Sequence, residues 1–249
     1  MVLIVLKLIY ALGAPRTFYR FADRLSLPLA IMALLLLSVG LIWGVFFAPP
    51  DYQQGESVRI IYLHVPCAAL SLNLYLVMAI AAFVVLVWRI KLASVVLRAC
   101  AQVGVVFTLL ALLTGSLWGK PTWGTWWVWD ARLSGEFILF LLYVGIIGLG
   151  DALGRHQAAE RILAIMTWVG VIDLPIIHYS VKWWNTLHQG SSILAFAKPK
   201  IDNSLLYPLL LSLLGSTLFA AWAVLALSKY EVLRREHRQA WVAASWSKY

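Results

Sequence analysis

Charge is what this chain has least of: 12% of its 249 residues are charged, against 62% hydrophobic. A soluble domain carries about 25% charged residues, so a water-soluble globule is excluded. An all-α integral membrane protein follows, with residues 1–249 forming a single membrane domain. Cysteine is nearly absent as well, with only Cys67 and Cys100. They lie near the starts of consecutive apolar segments, which run in opposite directions. That puts them at opposite membrane faces, far beyond the ~7 Å that a disulfide spans between Cα atoms. Neither sits in a Cys-x-x-Cys spacing, and both read as small apolar fillers. No basic patch on a soluble domain accompanies the net charge of +9, which excludes nucleic acid as a partner. There is no internal repeat and no low-complexity segment.

What is present is a set of long apolar runs. Six can cross a membrane, at about 27–47, 66–88, 101–118, 133–150, 162–177 and 205–227, each near the ~20 residues that span ~30 Å of hydrocarbon. Residues 1–14 are expected to lie as a helix on the cytoplasmic surface. With the termini inside, fourteen Lys and Arg residues fall in inner regions and six in outer ones. Basic residues hold loops inside, so cytoplasmic N- and C-termini are expected. The outer loops are then 48–65, 119–132 and 178–204. Long, chemically rich loops carry function, and here they share one face.

The second run is too long for its membrane. From Ile60 to Trp88 it covers about 29 residues, or ~43 Å as a helix. Trp88, Arg89 and Lys91 anchor its inner end, so the excess projects outward. Pro66 suits a first helical turn, which leaves His64 and Arg59 just above the membrane.

The most unusual loop is 119–132. Trp123, Trp126, Trp127 and Trp129 fall within seven residues, followed at once by Asp130 and Arg132. In a helix, Trp123, Trp126, Trp127 and Asp130 share a face. Interfacial tryptophans also form belts, but belts scatter over several helix ends. Four in one loop make a surface for a large, flat, apolar ligand. Three of the five histidines, His64, His178 and His188, belong to the same outer layer. Imidazole suits iron, tryptophan faces bury a porphyrin, and arginine forks a propionate. Together these point to heme, with Arg59 and Arg132 as propionate partners. No Cys-x-x-Cys-His is present, so covalent c-type attachment to this chain is not expected. Asp130 either takes a proton, orients a neighbour, pairs with Arg132 or caps the fourth span. Asp173, about one turn inside span five, is a functional candidate by its depth.

The stretch Trp123-Gly124-Thr125-Trp126-Trp127-Val128-Trp129-Asp130 resembles the tryptophan-rich signature of the heme-handling membrane proteins of cytochrome c maturation. Within them the chain is similar to the heme exporter protein C family, CcmC. The resemblance runs over nearly the whole chain. It includes Asp51-Tyr52-Gln53-Gln54-Gly55, Arg59-Ile60-Ile61-Tyr62-Leu63-His64-Val65-Pro66, Gly119-Lys120-Pro121 and the segment from Leu174 to Gly190. It implies six spans in a bacterial inner membrane and a non-covalent heme b at the periplasmic face. It also implies that His64 and His188 are the axial pair. The heme would then pass to the periplasmic chaperone CcmE, in a complex with CcmA, CcmB and CcmD. The expected cofactor-binding set is Trp118, Trp123, Trp126, Trp127, Trp129, Asp130, Arg59 and Arg132.

The chain departs from the family pattern at Cys67, where Ala is usual, at Asp173, where Asn is usual, and at Ser134-Gly135-Glu136, which stands for Thr-Ser-Glu. Two rival readings remain at this stage. A heme lyase carries the same signature but needs a larger receiving apparatus than six spans. A transporter subunit needs a polar path through the membrane, and spans one to four are expected to bury almost no charge.

Overall fold

The computed structural model describes residues 13–188 and 201–246. Most of the expected surface helix over 1–14, Gln189 and Gly190 of the outer loop, and Lys198, Lys200 and Lys248 lie outside the described residues. The fold is all-α. Six helical segments are long and apolar enough to cross a membrane: Pro15–Phe47, Glu56–Trp88, Lys91–Trp123, Ala131–Leu153, Gln157–Trp183 and Asn203–Arg235. Helix α1 (Pro15–Ile42) runs into a π-helical turn at Trp43–Phe47. A 3-10 turn at Glu56–Ile60 leads into α2 (Ile61–Trp88), followed by α3 (Lys91–Trp123) and α4 (Ala131–Leu153). Then come α5 (Gln157–Gly170), α6 (Asp173–Trp183), α7 (Asn203–Arg235) and a short α8 (Ala240–Trp246).

The helices outrun the apolar segments. Four of the six spans are 33 residues long, ~50 Å at 1.5 Å per residue, so they project beyond ~30 Å of hydrocarbon. Apolarity marks only the lipid-facing stretch; the backbone ladder continues until a cap or a turn residue stops it. Pro66 is accordingly not a helix start. It lies inside α2, which begins at Ile61. The fifth span is broken rather than continuous. Pro175 has no N–H to give the preceding turn. The chain tightens there, with Val171 N–H on the Trp168 carbonyl at 3.2 Å and Leu174 N–H on Val171 at 3.1 Å.

Packing is set by small residues and by hydroxyls. Helix α1 packs chiefly on α7. A Cβ on Gly215 would lie 2.5 Å from the backbone nitrogen of Leu37, so only glycine lets the two backbones meet, as membrane helices require without a hydrophobic drive between them. The core lies between α2, α3, α4 and α5, around Tyr75, Met78, Leu97, Leu139, Tyr143 and Leu163. Its two tyrosines are satisfied: Tyr143 Oη donates to the Ser71 carbonyl at 2.8 Å and Tyr75 Oη to Thr167 at 3.1 Å. A hydroxyl left unpaired in hydrocarbon is costly, so these bonds fix α2 against α4 and α5. Leu27, Leu34, Phe46 and Val169 are exposed on the outside, where lipid would lie. Cys67 and Cys100 are both free and buried.

The start of α1 and the end of α7 meet at one end of the bundle. Lys229 pairs with Asp23 at 2.9 Å, and the rings of Tyr19 and Trp241 stand 5.6 Å apart. That end holds buried charge, contrary to the expectation for the spans. Arg98 is not in a solvated loop; it lies in the second turn of α3 and is buried. Its Nε pairs with Glu160 at 3.2 Å, and its guanidinium also donates to the Gly150 and Gly154 carbonyls. Arg235 reaches the same Glu160 at 2.8 Å. The ends of α3, α5 and α7 are tied together by that one carboxylate.

Candidate functional site

The other end of the bundle holds His64. Its ring is buried, on the first turn of α2. Nδ1 of His64 lies 3.0 Å from Oγ1 of Thr114 on α3. The Thr114 hydroxyl already donates its one proton to the Leu110 carbonyl at 2.6 Å. Only a lone pair is left for the histidine, so Nδ1 carries the hydrogen and Nε2 presents its lone pair. Thr114, 50 positions away, and the Ala111 carbonyl one turn back on the same helix both favour that tautomer.

His188 comes to the same place from the loop after α6. Its ring centroid lies 6.3 Å from that of His64, with the planes 36° apart. Its backbone N–H is held by Thr186 Oγ1 at 3.1 Å. Trp118 meets the His64 ring edge-on at 5.5 Å, and Trp123 meets His188 at 6.1 Å. Trp118 is itself tied down, since its Nε1 donates to Gln54 Oε1 at 2.9 Å. Gln54 is placed by a small turn in which Asp51 Oδ1 accepts from the backbone N–H groups of Gln53 and Gln54, both at 2.9 Å. Asp51-Tyr52-Gln53-Gln54-Gly55 is therefore the piece that fastens the loop before α2 onto the end of α3.

The tryptophans do not form one helical face. Helix α3 ends at Trp123, and Gly124 takes a φ of 77° that suits glycine. Residues 127–130 have no regular structure. The set divides accordingly. Trp118 and Trp123 stand with the histidines. Trp127 and Trp129 pack edge-to-face with each other at 5.4 Å, and both touch Phe137 of α4. Trp126 lies under Lys120 Nζ at 5.9 Å. Trp126 and Trp129 are exposed. Trp127 Nε1 is buried without a hydrogen-bond partner among the described residues.

Of the four roles open to Asp130, the structure shows the cap. Its Oδ1 accepts from the backbone N–H groups of Arg132 and Leu133 at 3.1 and 2.8 Å, which starts α4. Arg132 on the first turn of α4 is a charged neighbour of the His64 ring. It also faces Glu136 and Asp130. Arg59 points elsewhere: it pairs with Glu56 at 2.6 Å and donates to the Val45 carbonyl. His178 is exposed on α6, with its ring against Tyr179. Asp173 is buried at the start of α6, with Oδ2 unpartnered among the described residues. Thr114 and Phe137 were not apparent in the sequence, and Gln54 was visible there only as part of a matching segment with no role. Thr114 stands four residues before Trp118, one turn back on α3, and that spacing was the available signal.

Two imidazoles on one metal, each bonded at roughly 2 Å, have ring centroids ~6 Å apart, so the His64–His188 spacing fits a shared ion. Among the described residues no third His, Cys, Asp or Glu joins them. The remaining coordination positions would belong to the ligand itself, which suits a metal carried in a macrocycle better than a bare ion.

The comparisons with known proteins agree in kind. The family described as heme exporter protein C (CcmC) matches residues 8–243. The protein named heme exporter protein C from Haemophilus influenzae is 47% identical over 238 residues, covering 96% of this chain and 97% of the relative. Its namesake from Escherichia coli K12 is 48% identical over 237 residues, covering 95% and 96%. That of Bradyrhizobium diazoefficiens is 46% identical over 227 residues, covering 91% and 86%. A match running from residue 8 to residue 243 takes in both histidines and every tryptophan of the outer loop, and on it the chain belongs to the heme exporter protein C family.

Proposed function

We propose that this chain binds heme b non-covalently between His64 and His188 and passes it to the chaperone CcmE. It would do so at the periplasmic face of a bacterial inner membrane, beside CcmA, CcmB and CcmD. The chain is a multi-pass membrane protein of a heme-handling family. The observation that carries the finer reading is the histidine pair, whose spacing of 6.3 Å suits one shared iron. The topology is supported by the charge count: the end holding Lys229, Arg234 and Arg235 is the basic one, as expected of a cytoplasmic end with the histidines outside.

The two ligands have different supports. His64 is buried on a helix and its tautomer is favoured by Thr114. His188 sits on a loop, held by a local turn through Thr186. His64 is the standing ligand in this reading and His188 the one that yields when the heme is handed on. Trp118 and Trp123 bound the pair. Trp126, Trp127 and Trp129 offer apolar area to the macrocycle, and the unpartnered Trp127 Nε1 gives a hydrogen bond to a polar edge. Arg132 forks a propionate. Arg59 would serve the second propionate only by leaving Glu56. Asp130 acts by holding the start of α4, and so Arg132, in place.

The test is the absorption spectrum of the purified protein, native and with each histidine replaced. His64→Ala is expected to abolish the heme band. His188→Ala is expected to keep a weaker band of changed spin state, and His178→Ala to match the native protein. A wild-type spectrum in the doubly substituted His64→Ala, His188→Ala protein would refute the ligand assignment.

A further inference from the structure

The end of the bundle away from the histidine pair contains a cavity of about 510 Å³, walled by the end of α2, the starts of α3 and α5, and the end of α7. Six cations line it: Arg89, Lys91, Arg155, Arg161, Arg234 and Arg235. Only two carboxylates, Glu160 and Glu236, share the wall, which leaves four positive charges in excess. Internal pairing absorbs only part of them, since Glu231 meets Arg155, Arg234 and Arg235. Arg235 and Arg155 are engaged by Glu160 and Glu231 at 2.8 and 2.7 Å. Arg89, Lys91 and Arg161 have no ion pair among the described residues.

Two backbone features reinforce the charge. Arg89 ends α2 in the left-handed region, at φ 55° and ψ 33°. It is the one non-glycine with positive φ among the described residues. Glycine is the usual residue there, and a strained non-glycine persists where its side chain has a use. The next helix, α3, starts at Lys91 with no side-chain cap from Ile90. That helix start lies in the cavity wall, where the helix dipole favours an anion. Cations that only fixed topology could spread over any inner loop surface; these converge on one hollow.

We infer that this cavity holds the phosphate of an anionic membrane lipid. Phosphate chemistry follows from the guanidinium groups and the open helix start. A lipid source follows from position. Val85, Val95 and Val232 give the same cavity an apolar wall. Trp88 ends the apolar span just before Arg89, and tryptophan at a span end marks the headgroup layer. Basic pockets between membrane helices are built for such headgroups. The headgroup would join the ends of α2, α3 and α5 from outside as Glu160 joins α3, α5 and α7 from within. The proposal is independent of heme binding.

The full chain, purified in neutral detergent, would be titrated with phosphatidylglycerol, with phosphatidylcholine and with inorganic phosphate. Thermal unfolding and native mass spectrometry supply the readouts. Saturable binding and a raised unfolding temperature are expected with phosphatidylglycerol alone. The triple variant Arg89→Gln, Lys91→Gln, Arg161→Gln, which leaves every ion pair intact, is expected to weaken that binding at least tenfold. Arg89→Gly removes the backbone strain together with the charge. It is expected to unfold at a higher temperature in neutral detergent and still respond less to phosphatidylglycerol. Equal responses to the two lipids, unchanged affinity in both variants, or displacement of phosphatidylglycerol by equimolar inorganic phosphate would each overturn the inference.

Discussion

Nδ1 of His64 and Oγ1 of Thr114 lie 3.0 Å apart, and the threonine's proton is already engaged by Leu110. The histidine must donate, which turns its other nitrogen into a ligand. Groups that orient a ligating histidine typically change metal affinity by about 10–100-fold. Thr114→Val keeps the volume and removes the acceptor. Heme titration of that variant is expected to show a loss in this range, while Thr114→Ser stays near wild type. A Thr114→Val protein of native affinity would show that the tautomer is set by something else.

The cap on α4 makes a separate prediction. Asp130 holds two backbone N–H groups, and losing such a cap costs about 1 kcal/mol. Asp130→Ala should lower the unfolding free energy by that amount, read as a fall in unfolding temperature, whereas Asp130→Asn, also a good cap, should lose only a fraction of it. Because Arg132 sits on the first turn, Asp130→Ala should also loosen heme binding, and Asp130→Asn should not.

Trp118 and Gln54 are joined by one hydrogen bond across two outer segments. A double-mutant cycle with Trp118→Phe and Gln54→Leu isolates it. A part-buried hydrogen bond contributes about 1 kcal/mol. Each single variant should therefore lose about that much, and the double variant less than the sum. Strict additivity would mean that the loop before α2 is held by other contacts.

At the opposite end, Glu160 carries two guanidinium groups, Arg98 and Arg235. Both the carboxylate and Arg98 are nearly inaccessible, with side-chain exposures of 9% and 10%. Removing one partner of such a pair leaves a buried charge uncompensated, at a cost of about 3–5 kcal/mol. Glu160→Gln is isosteric and should show that loss as a large drop in unfolding temperature. An unchanged temperature would mean that water reaches Arg98 in the folded protein.

Much of this protein was legible from Leu, Val and Trp alone. Runs of apolar residues near twenty in length fixed the class and the number of spans, because hydrocarbon leaves the backbone no other solution. The tryptophans of 123–129, the histidines of the outer loops and Arg132 were visible as residues that an ordinary bundle does not use. Helix ends were not legible. The start of α2 at Ile61 rather than Pro66, and the break before Asp173, depend on hydrogen bonds that the hydropathy of a segment does not record.

Partnership was the other illegible quantity. Arg98 reads in sequence as one more basic residue near an inner loop, and only the fold brings Glu160 and two backbone carbonyls around it. Thr114 reads as a tolerated hydroxyl in an apolar run until α2 lays His64 against it. Sequence by itself determined the membrane, the helices and the supply of ligating, flat and basic side chains, since these follow from composition and short-range periodicity. Tertiary structure alone decided that His64 meets His188, that Trp118 and Trp123 stand with them while Trp127 and Trp129 turn to Phe137, and that the cations of the other end enclose a cavity. Those relations join residues far apart in the chain, and they are set by how the helices pack rather than by any local preference.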